Sequence, residues 1–310
     1  MLFSSTNILS IDGFKGNKNP SLKIFYRLPQ WCNFHCSYCT MKSFEKDKPK
    51  EEDIKKDCQQ MINQLQVYLK NINKDKSLYF SIMGGEFSVY NIVDTVIIPI
   101  INNFSDRKIS FHFTSNFSGS LNNFLNIAKT LEEKNITNTL SFSFHEEFMK
   151  IDQFLNKFQK LKDLTSNFTK LKLKINSVVD NNNFELIKDF YNQSIKLCDF
   201  VGIAINTKAK DIKPEIYEWI NNIKDTASKS YLITFKDNTT EYRDKDELFT
   251  NPKGFPSKGF LCQDRLLNLK YIYGTNKFQT YCSIDEGKNN IICAKEYCRL
   301  CGRVKLIQLY

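Results

Sequence analysis

Arginine is scarce in a chain that is otherwise strongly basic. Lysine and arginine together number 44 against 34 acidic residues, so the net charge is +10. Only six of the basic residues are arginine: Arg27, Arg107, Arg243, Arg265, Arg299 and Arg303. Proteins that read phosphates or bases depend on the planar guanidinium fork. The charge therefore indicates lysine-rich solvated faces. It argues against a nucleic-acid partner and leaves an acidic peptide substrate open.

Long apolar runs are also missing. No stretch approaches the roughly 20 residues of a membrane span, and residues 1–20 lack the pattern of a signal peptide. We therefore expect a cytoplasmic protein with no membrane partner. With 41% hydrophobic and 14% aromatic residues, the chain can form a folded core. Disulfides are rare in the cytoplasm, so ten cysteines indicate metal or cluster ligation.

The cysteines fall into two groups. Three lie within Cys32–Cys39 and five within Cys262–Cys301, whereas Cys58 and Cys198 stand alone. The lone cysteines are expected to be small buried side chains. The distribution predicts two metal regions separated by a long body.

That body alternates strand-like and helix-like segments, in about six units. The predicted strands are Lys23–Leu28, Ser77–Met83, Ile109–Thr114, Thr139–Phe144, Lys170–Val179 and Asp199–Ile205. Helices are predicted at 50–73, 93–103 (bent or ended by Pro99), 121–134, 151–161, 184–197 and 214–223. This alternation predicts an α/β fold, a partial (β/α)6 TIM-type barrel whose chemistry lies at the carboxyl ends of its strands.

The pattern changes after about residue 228. We predict an N-terminal segment at 1–21, the partial barrel at 22–228, a polar linker at 229–258, and a small cysteine-rich β-hairpin/helix extension at 259–310.

The first cysteine group has the spacing C-x3-C-x2-C, directly after the first strand of the body. Three close thiolates at Cys32, Cys36 and Cys39 can each bind one iron of a 4Fe–4S cubane and leave the fourth iron open. A zinc site with His35 as the fourth ligand is the alternative. Its geometry would be strained, because His35 lies between two ligands in a very short loop.

This motif, with an aromatic residue before its last cysteine, resembles that of the radical S-adenosylmethionine (SAM) superfamily. The resemblance implies that Cys32, Cys36 and Cys39 hold the cluster and that SAM chelates the open iron. It implies that Tyr38 lies against the adenine. It also implies reductive cleavage of SAM to a 5′-deoxyadenosyl radical, hydrogen abstraction from a substrate, and a reductase or flavodoxin-like electron donor.

Other segments resemble further motifs of the same family. Gly84-Gly85-Glu86 resembles the motif that holds the SAM amino group, with Phe87 in place of the usual proline. Thr114-Ser115-Asn116 matches a T-N-G-like turn with Phe117 in place of glycine, and Asn116 is a candidate SAM contact. By the same resemblance Ser143 and Asn176 are candidates for SAM contacts. His145 can touch SAM or substrate, or can be a structural residue.

The second cysteine group resembles the twitch or shortened SPASM extension of these enzymes, which holds an auxiliary cluster. The resemblance implies Cys262, Cys282, Cys298 and Cys301 as ligands of a second 4Fe–4S cluster, with Cys293 as a spare. A structural zinc is the alternative.

Together the motifs predict a radical SAM oxidoreductase that acts on a peptide or a small molecule, with peptide maturation as the first guess. The competing hypothesis is a zinc-stabilised module that binds nucleic acid or protein without catalysis. A third keeps the radical SAM core and gives the C-terminal cysteines a purely structural role. The sequence identifies no catalytic residue and no reaction.

Overall fold

The structure of this chain is a computed structural model. The residues it describes are 8–13, 22–39, 47–70, 72–198, 200–206, 208–209, 211–223, 230–244, 255–256, 260–262, 268–280, 291–292, 297–298 and 306–308. Two compact units are formed, one by residues 23–226 with 270–278 and the other by 1–22, 227–269 and 279–310.

The larger unit is built on an open sheet with helices between its strands. Its strands are β2 (Leu22–Arg27), β3 (Leu78–Met83), β4 (Ile109–Ser115), β5 (Thr137–Phe144), β6 (Leu171–Val179), β7 (Val201–Ile205), β12 (Asn268–Ile272) and β13 (Phe278–Thr280). The strand order is β13-β12-β2-β3-β4-β5-β6-β7, and β3 to β7 pair in parallel. The predicted α/β partial barrel is confirmed.

Helices follow the strands at the predicted places. They are α1 (Glu51–Leu69), α2 (Ile98–Asn103), α3 (Leu121–Glu133), α4 (Ile151–Leu164), α5 (Phe184–Ser194) and α6 (Pro214–Asn222). A π-helical turn, Val93–Ile97, runs directly into α2. Pro99 lies in the first turn of α2, directly after the π-helical turn. The helical segment therefore continues past Pro99 to Asn103 and does not end at the proline.

The sheet has one apolar face and one polar face. Successive side chains of a strand point to opposite sides. On one side Ile24, Phe80, Phe111, Phe142 and Ile175 are at most 1% exposed. Phenylalanines from the helices pack on this side, so the chain's many aromatic residues form its core. The opposite side, lined by alternate residues such as Lys174, is polar and half-exposed.

Phe117 lies at the centre of this aromatic core. Its ring centroid lies 4.0 Å from that of Phe142 and 5.3 Å from those of Phe124 and Phe154. It is completely buried, although its φ of 61° is in the left-handed region that favours glycine. Lys157 supports this turn by donating to the Phe117 carbonyl oxygen at 2.7 Å. Phenylalanine thus replaces glycine here because burial of its ring outweighs the backbone strain.

A late segment of the chain supplies the strand beside β2. Its strand β12 carries Tyr271, whose ring meets that of Tyr26 edge-on at 5.7 Å. The Asp57 carboxylate of α1 accepts hydrogen bonds from the Tyr26 hydroxyl and the Gly274 amide, both at 2.8 Å. The first of these bonds joins β2 to the first helix, and the second joins the β12–β13 turn to it. Residues Leu269–Ile272, predicted within the C-terminal extension, therefore contribute to the barrel sheet.

The smaller unit carries a six-stranded sheet. Its strands are β1 (Ile8–Gly13), β8 (Ser230–Phe235), β9 (Thr240–Asp244), β11 (Phe260–Cys262), β14 (Ile291–Ile292) and β16 (Leu306–Gln308), in the order β14-β11-β16-β1-β8-β9. The short strands β10 (Phe255–Pro256) and β15 (Tyr297–Cys298) pair separately. Part of the predicted linker thus forms the paired strands β8 and β9. The predicted domain boundaries otherwise stay a prediction.

Among the helices that the structure describes, none is long and apolar enough to span a membrane.

Replacing Phe117 by glycine separates the two opposing effects at this position. The change relieves roughly 1 kcal/mol of backbone strain but removes a buried aromatic ring worth about 3–5 kcal/mol. We expect Phe117→Gly to lower the free energy of unfolding by about 2–4 kcal/mol, measured by urea denaturation.

Asn135 provides the matched control, since its φ is 56° and its side chain is exposed. Asn135→Gly makes the same backbone change without loss of buried surface, so stability should change by less than about 0.5 kcal/mol. Equal effects of the two substitutions would contradict the burial argument.

Candidate functional site

The loop that carries the three N-terminal cysteines leaves the carboxyl end of β2 and is held by the segment that follows β3. The Leu28 amide donates to the Met83 carbonyl at 2.7 Å. The Gly85 amide donates to Pro29 and the Glu86 amide to Trp31, both at 3.0 Å. The strand pairing therefore continues up to the residue before Cys32.

The two glycines are needed for this close backbone approach. A Cβ on Gly85 would lie 1.7 Å from the Trp31 carbonyl oxygen, and one on Gly84 2.6 Å from that of Leu28. Gly84 also has a φ of 147°. Their predicted role in SAM binding stays a prediction, and the contact that the structure gives them is with the cysteine loop itself.

The three thiols are free and half-buried on this loop. The Cys39 amide donates to the Cys36 carbonyl at 3.0 Å, which forms a tight turn between them. Burial, and after it the charges of Glu147 and of the other two cysteines, raise the pKa of the Cys36 thiol to about 12. Burial also raises the pKa of Cys32. Without a metal, all these effects favour the protonated thiol.

Two N–H groups point at the sulfur of Cys32. The Phe34 amide lies 3.4 Å from it and the Asn116 side-chain amide 3.6 Å. The same Asn116 amide donates to Asn33 Oδ1 at 3.0 Å. These bonds stabilise negative charge on sulfur, so they act against the rise that burial causes in the pKa of Cys32. Asn116 is thus next to the cysteine loop, as a SAM-contacting residue would be.

Glu86 is fully enclosed and has a structural role. Its Oε1 accepts from the Ser115 hydroxyl at 2.7 Å and from the Ser88 amide at 2.9 Å, while Oε2 accepts from the Asn116 amide at 2.6 Å. Only 1% of the residue is exposed. The carboxylate joins the ends of β3 and β4. A direct contact of Glu86 with SAM is still a prediction, and its oxygens already have three donors.

Tyr38, which is buried, and His145, which is half-buried, form a pair beside the cysteine loop. Their rings are stacked with an interplanar angle of 10°, and the Tyr38 hydroxyl lies 2.8 Å from His145 Nδ1. The Cys36 sulfur lies 3.2 Å from the same nitrogen. Burial lowers the pKa of His145 to about 4, so the ring is neutral. The structure therefore brings His145 to a predicted cluster ligand.

Ser37, between two of the cysteines, is held by a carboxylate that the sequence analysis did not single out. Both oxygens of Glu147 lie 3.1 Å from the Ser37 amide, and the Ser37 hydroxyl donates to Oε1 at 2.7 Å. The only signal in the sequence was position, since Glu147 lies two residues after His145. Nearby, Phe148 stacks on Phe34 with a centroid distance of 4.4 Å.

The predicted SAM contacts Ser143 and Asn176 are neighbours. They pair in register on β5 and β6, and Asn176 pairs with Gly202 of β7. A Cβ on Gly202 would come within 3.1 Å of the Asn176 side-chain oxygen. The structure thus places both residues at the carboxyl end of the sheet, while their role stays a prediction.

The C-terminal ligand prediction lies outside the described side chains. Cys262 and Cys298 fall in short strands of which only the backbone is described. Cys282, Cys293 and Cys301 lie outside the described residues altogether. In the part of the chain that is described, no group of three or more metal-ligating side chains is already assembled. His35, the alternative zinc ligand, is exposed.

Glu86 gives the stability of the chain a pH dependence. Burial raises its pKa, although its three hydrogen bonds act in the opposite direction. The native state then binds the proton more readily than the unfolded state, so stability from this group is greatest at low pH and falls as the pH rises through the raised value. Glu86→Gln should remove this slope in urea unfolding measured from pH 5 to pH 8.

The same substitution should cost about 1–3 kcal/mol, because an amide NH2 would then face groups that are themselves donors. Glu133→Gln, an exposed change at the end of α3, is the control and should leave both stability and slope unaltered. Retention of the slope in Glu86→Gln would contradict the assignment to this group.

Glu147→Ala should loosen the cysteine loop. Loss of the bonds to Ser37 should speed amide exchange in residues 36–39 about fivefold, equivalent to about 1 kcal/mol for a partly exposed bond. Hydrogen–deuterium exchange by mass spectrometry measures this. Glu185→Ala, which removes an exposed carboxylate from α5, should leave exchange in that loop unchanged; an equal effect would show that Glu147 does not hold the loop.

Comparison with known proteins gives structural likeness alone. No protein-family model and no curated protein matches the chain. Two crystal structures of SuiB from Streptococcus suis are similar, at 16% and 15% identity with TM-scores of 0.49 and 0.48. One of them is bound to the precursor peptide SuiA. They cover 82% and 88% of this chain, which spans 58% and 63% of theirs. A fern chitinase catalytic domain has a TM-score of 0.26. At these scores none of the likenesses indicates a reaction.

Proposed function

We propose that this chain is a radical SAM enzyme, in which Cys32, Cys36 and Cys39 hold a 4Fe–4S cluster. The observation that carries the proposal is the cysteine loop itself. It lies at the carboxyl end of the first barrel strand, where α/β barrels place their chemistry. It presents three reduced, half-buried thiols and two N–H donors aimed at sulfur.

The donor set fits a three-thiolate cluster better than a four-ligand zinc ion. Three thiols share one loop of eight residues, and His35 is exposed between two of them. The neutral His145 lies against Cys36, but its Nδ1 also contacts the Tyr38 hydroxyl. Deprotonation of the thiols accompanies metal binding, which offsets the raised pKa of Cys36. When bound, the cluster supplies the electron that cleaves SAM.

The chain's own residues position this chemistry and exclude water. Gly84 and Gly85 allow the segment before Cys32 to pack closely against the end of β3, which positions the cysteine loop. Asn116 directs an N–H at Cys32, and the stack of Tyr38 on the half-buried His145 covers one side of the loop. Ser143 and Asn176, adjacent at the carboxyl ends of β5 and β6, are the polar groups we assign to SAM. Water exclusion matters because a carbon radical must reach its substrate before side reactions occur.

We also propose, from the spacing of Cys262, Cys282, Cys298 and Cys301, that a second site near the C terminus holds an auxiliary cluster. A reductase or flavodoxin-like protein is the proposed electron donor. The proposed substrate is a peptide or small molecule from which hydrogen is abstracted.

Anaerobic reconstitution tests this proposal. About four iron atoms per chain are expected from the N-terminal cluster alone and about eight with the auxiliary cluster. With SAM and dithionite, the reconstituted protein should release 5′-deoxyadenosine. Cys36→Ala should lose about four iron atoms and all SAM cleavage. Cys198→Ala removes a buried cysteine outside both groups and should retain iron and cleavage. Zinc in both regions, or an iron content in Cys36→Ala equal to that of the unaltered chain, would overturn the assignment.

A further inference from the structure

The polar face of the barrel sheet carries cations and no acids. Alternation places Arg27 and Lys270 on this face, since their neighbours Tyr26 and Tyr271 bond or pack toward Asp57 on the helix side. Lys172 and Lys174 lie on it as well, since Ile175 and its alternate residues face the core. We call Arg27, Lys172, Lys174 and Lys270 the cationic face.

Acidic residues do not occur in any strand of this sheet. The sequences of β2 to β7, β12 and β13 contain neither aspartate nor glutamate. The acids in the loops at the carboxyl ends already have partners. Glu147 accepts from Ser37, Glu146 from Asn183, and Asp180 from Asn206. No ion pair is found for the four cations among the described residues.

One of the cations packs on an aromatic ring, and neutral polar groups lie between the four. Lys174 lies over the Phe200 ring, with its nitrogen 5.2 Å from the centroid. Burial, and secondarily the charge of Arg27, lowers the pKa of Lys270. In register with Lys172 and Lys174 are Thr139 and Ser141, followed by His112 and Thr114 on β4. Hydroxyl and imidazole groups in that position suit hydrogen bonding to carboxylates or to a peptide backbone.

The distance between the cations sets the size of the ligand. Arg27 on β2 and Lys174 on β6 are four strands apart, about 19 Å along the sheet at about 4.8 Å per strand. An extended peptide advances about 3.3 Å per residue, so about six residues cover this span.

We propose that the cationic face binds an acidic segment of a peptide substrate. The segment would lie on the amino-terminal side of the strand positions assigned to SAM. Lys174 precedes Asn176 by two residues on the same face of β6, so the segment would lie next to the predicted cofactor contacts. Three of the four cations are lysines, which act as point charges toward carboxylates; a nucleic-acid strand would favour arginine. This inference rests on the proposed function for the reaction, though not for the binding.

Binding of a defined probe to the reconstituted full chain tests the inference. The probe is a fluorescein-labelled, end-blocked oligoglutamate of about eight residues, long enough for the span. Fluorescence anisotropy should show binding that weakens as salt is raised. Oligoglutamine of the same length should bind about tenfold more weakly or worse, because it offers no charge.

Charge reversal identifies the face. Lys172→Glu with Lys174→Glu should weaken oligoglutamate binding about tenfold or more. The milder pair Lys172→Gln and Lys174→Gln should weaken binding by less. Because it adds no carboxylates to the sheet, it controls for a loss of folding in the Glu pair. Lys55→Glu with Lys56→Glu changes the net charge equally on the exposed surface of α1 and should leave binding within about twofold.

The outcomes separate this inference from the proposed function. Equal weakening by the α1 pair would overturn the inference, since binding would then follow net charge. Tighter binding of an oligothymidylate of similar length, also lost on reversal of Lys172 and Lys174, would overturn it in favour of nucleic acid. Binding that follows the prediction in a protein without iron would sustain the cationic face and sink the radical SAM assignment. Iron incorporation and SAM cleavage without oligoglutamate binding would support the radical SAM assignment and overturn the proposed role of the cationic face.

Discussion

The site depends on one close contact between two backbones. Strand β3 does not end at the sheet but runs on beside the segment that precedes Cys32, with the amides of Gly85 and Glu86 bonded to the carbonyls of Pro29 and Trp31. No side chain larger than hydrogen fits between the two at Gly85. The sheet thereby fixes the position of the thiols, although the loop that carries them has little regular structure. The buried carboxylate of Glu86 then joins this contact to β4, which brings the Asn116 amide to the Cys32 sulfur.

The two faces of the sheet differ in what they bury. The face under the helices is filled by aromatic rings, and the unusual backbone of Phe117 shows how strongly burial controls that side. The opposite face gains little from burial and keeps lysines, hydroxyls and a histidine half-exposed. Uncompensated charge on a half-buried surface opposes folding. An anionic ligand bound to this face, as we propose, would compensate that charge. Burial in the aromatic core on the other side offsets the loss of folding stability that the charge causes.

The sequence was sufficient for the barrel because its signal is periodic. Most strands and helices of residues 22–223 repeat their apolar residues at the period that their secondary structure requires. The motif C-x3-C-x2-C identified the candidate site from the sequence because it is local. Contacts between residues far apart in the chain could not be predicted from the sequence. Nothing local predicts that Glu147 holds Ser37, that Glu86 is enclosed by three donors, or that residues 269–272 join β2. These depend on which loop ends meet when the sheet forms.

That last pairing bears on the order of events during synthesis. Strand β2 and the cysteine loop are made early, yet the neighbour of β2 on one side is β12, which follows more than 200 residues later. The bonds from Tyr26 and Gly274 to Asp57 likewise require both ends of this interval. Until residue 278 has emerged, one edge of β2 is open and the Asp57 carboxylate lacks the Gly274 amide. Because such distant contacts form late, the first strand of the barrel is completed among the last, and a nascent chain can expose its thiols before their surroundings are finished.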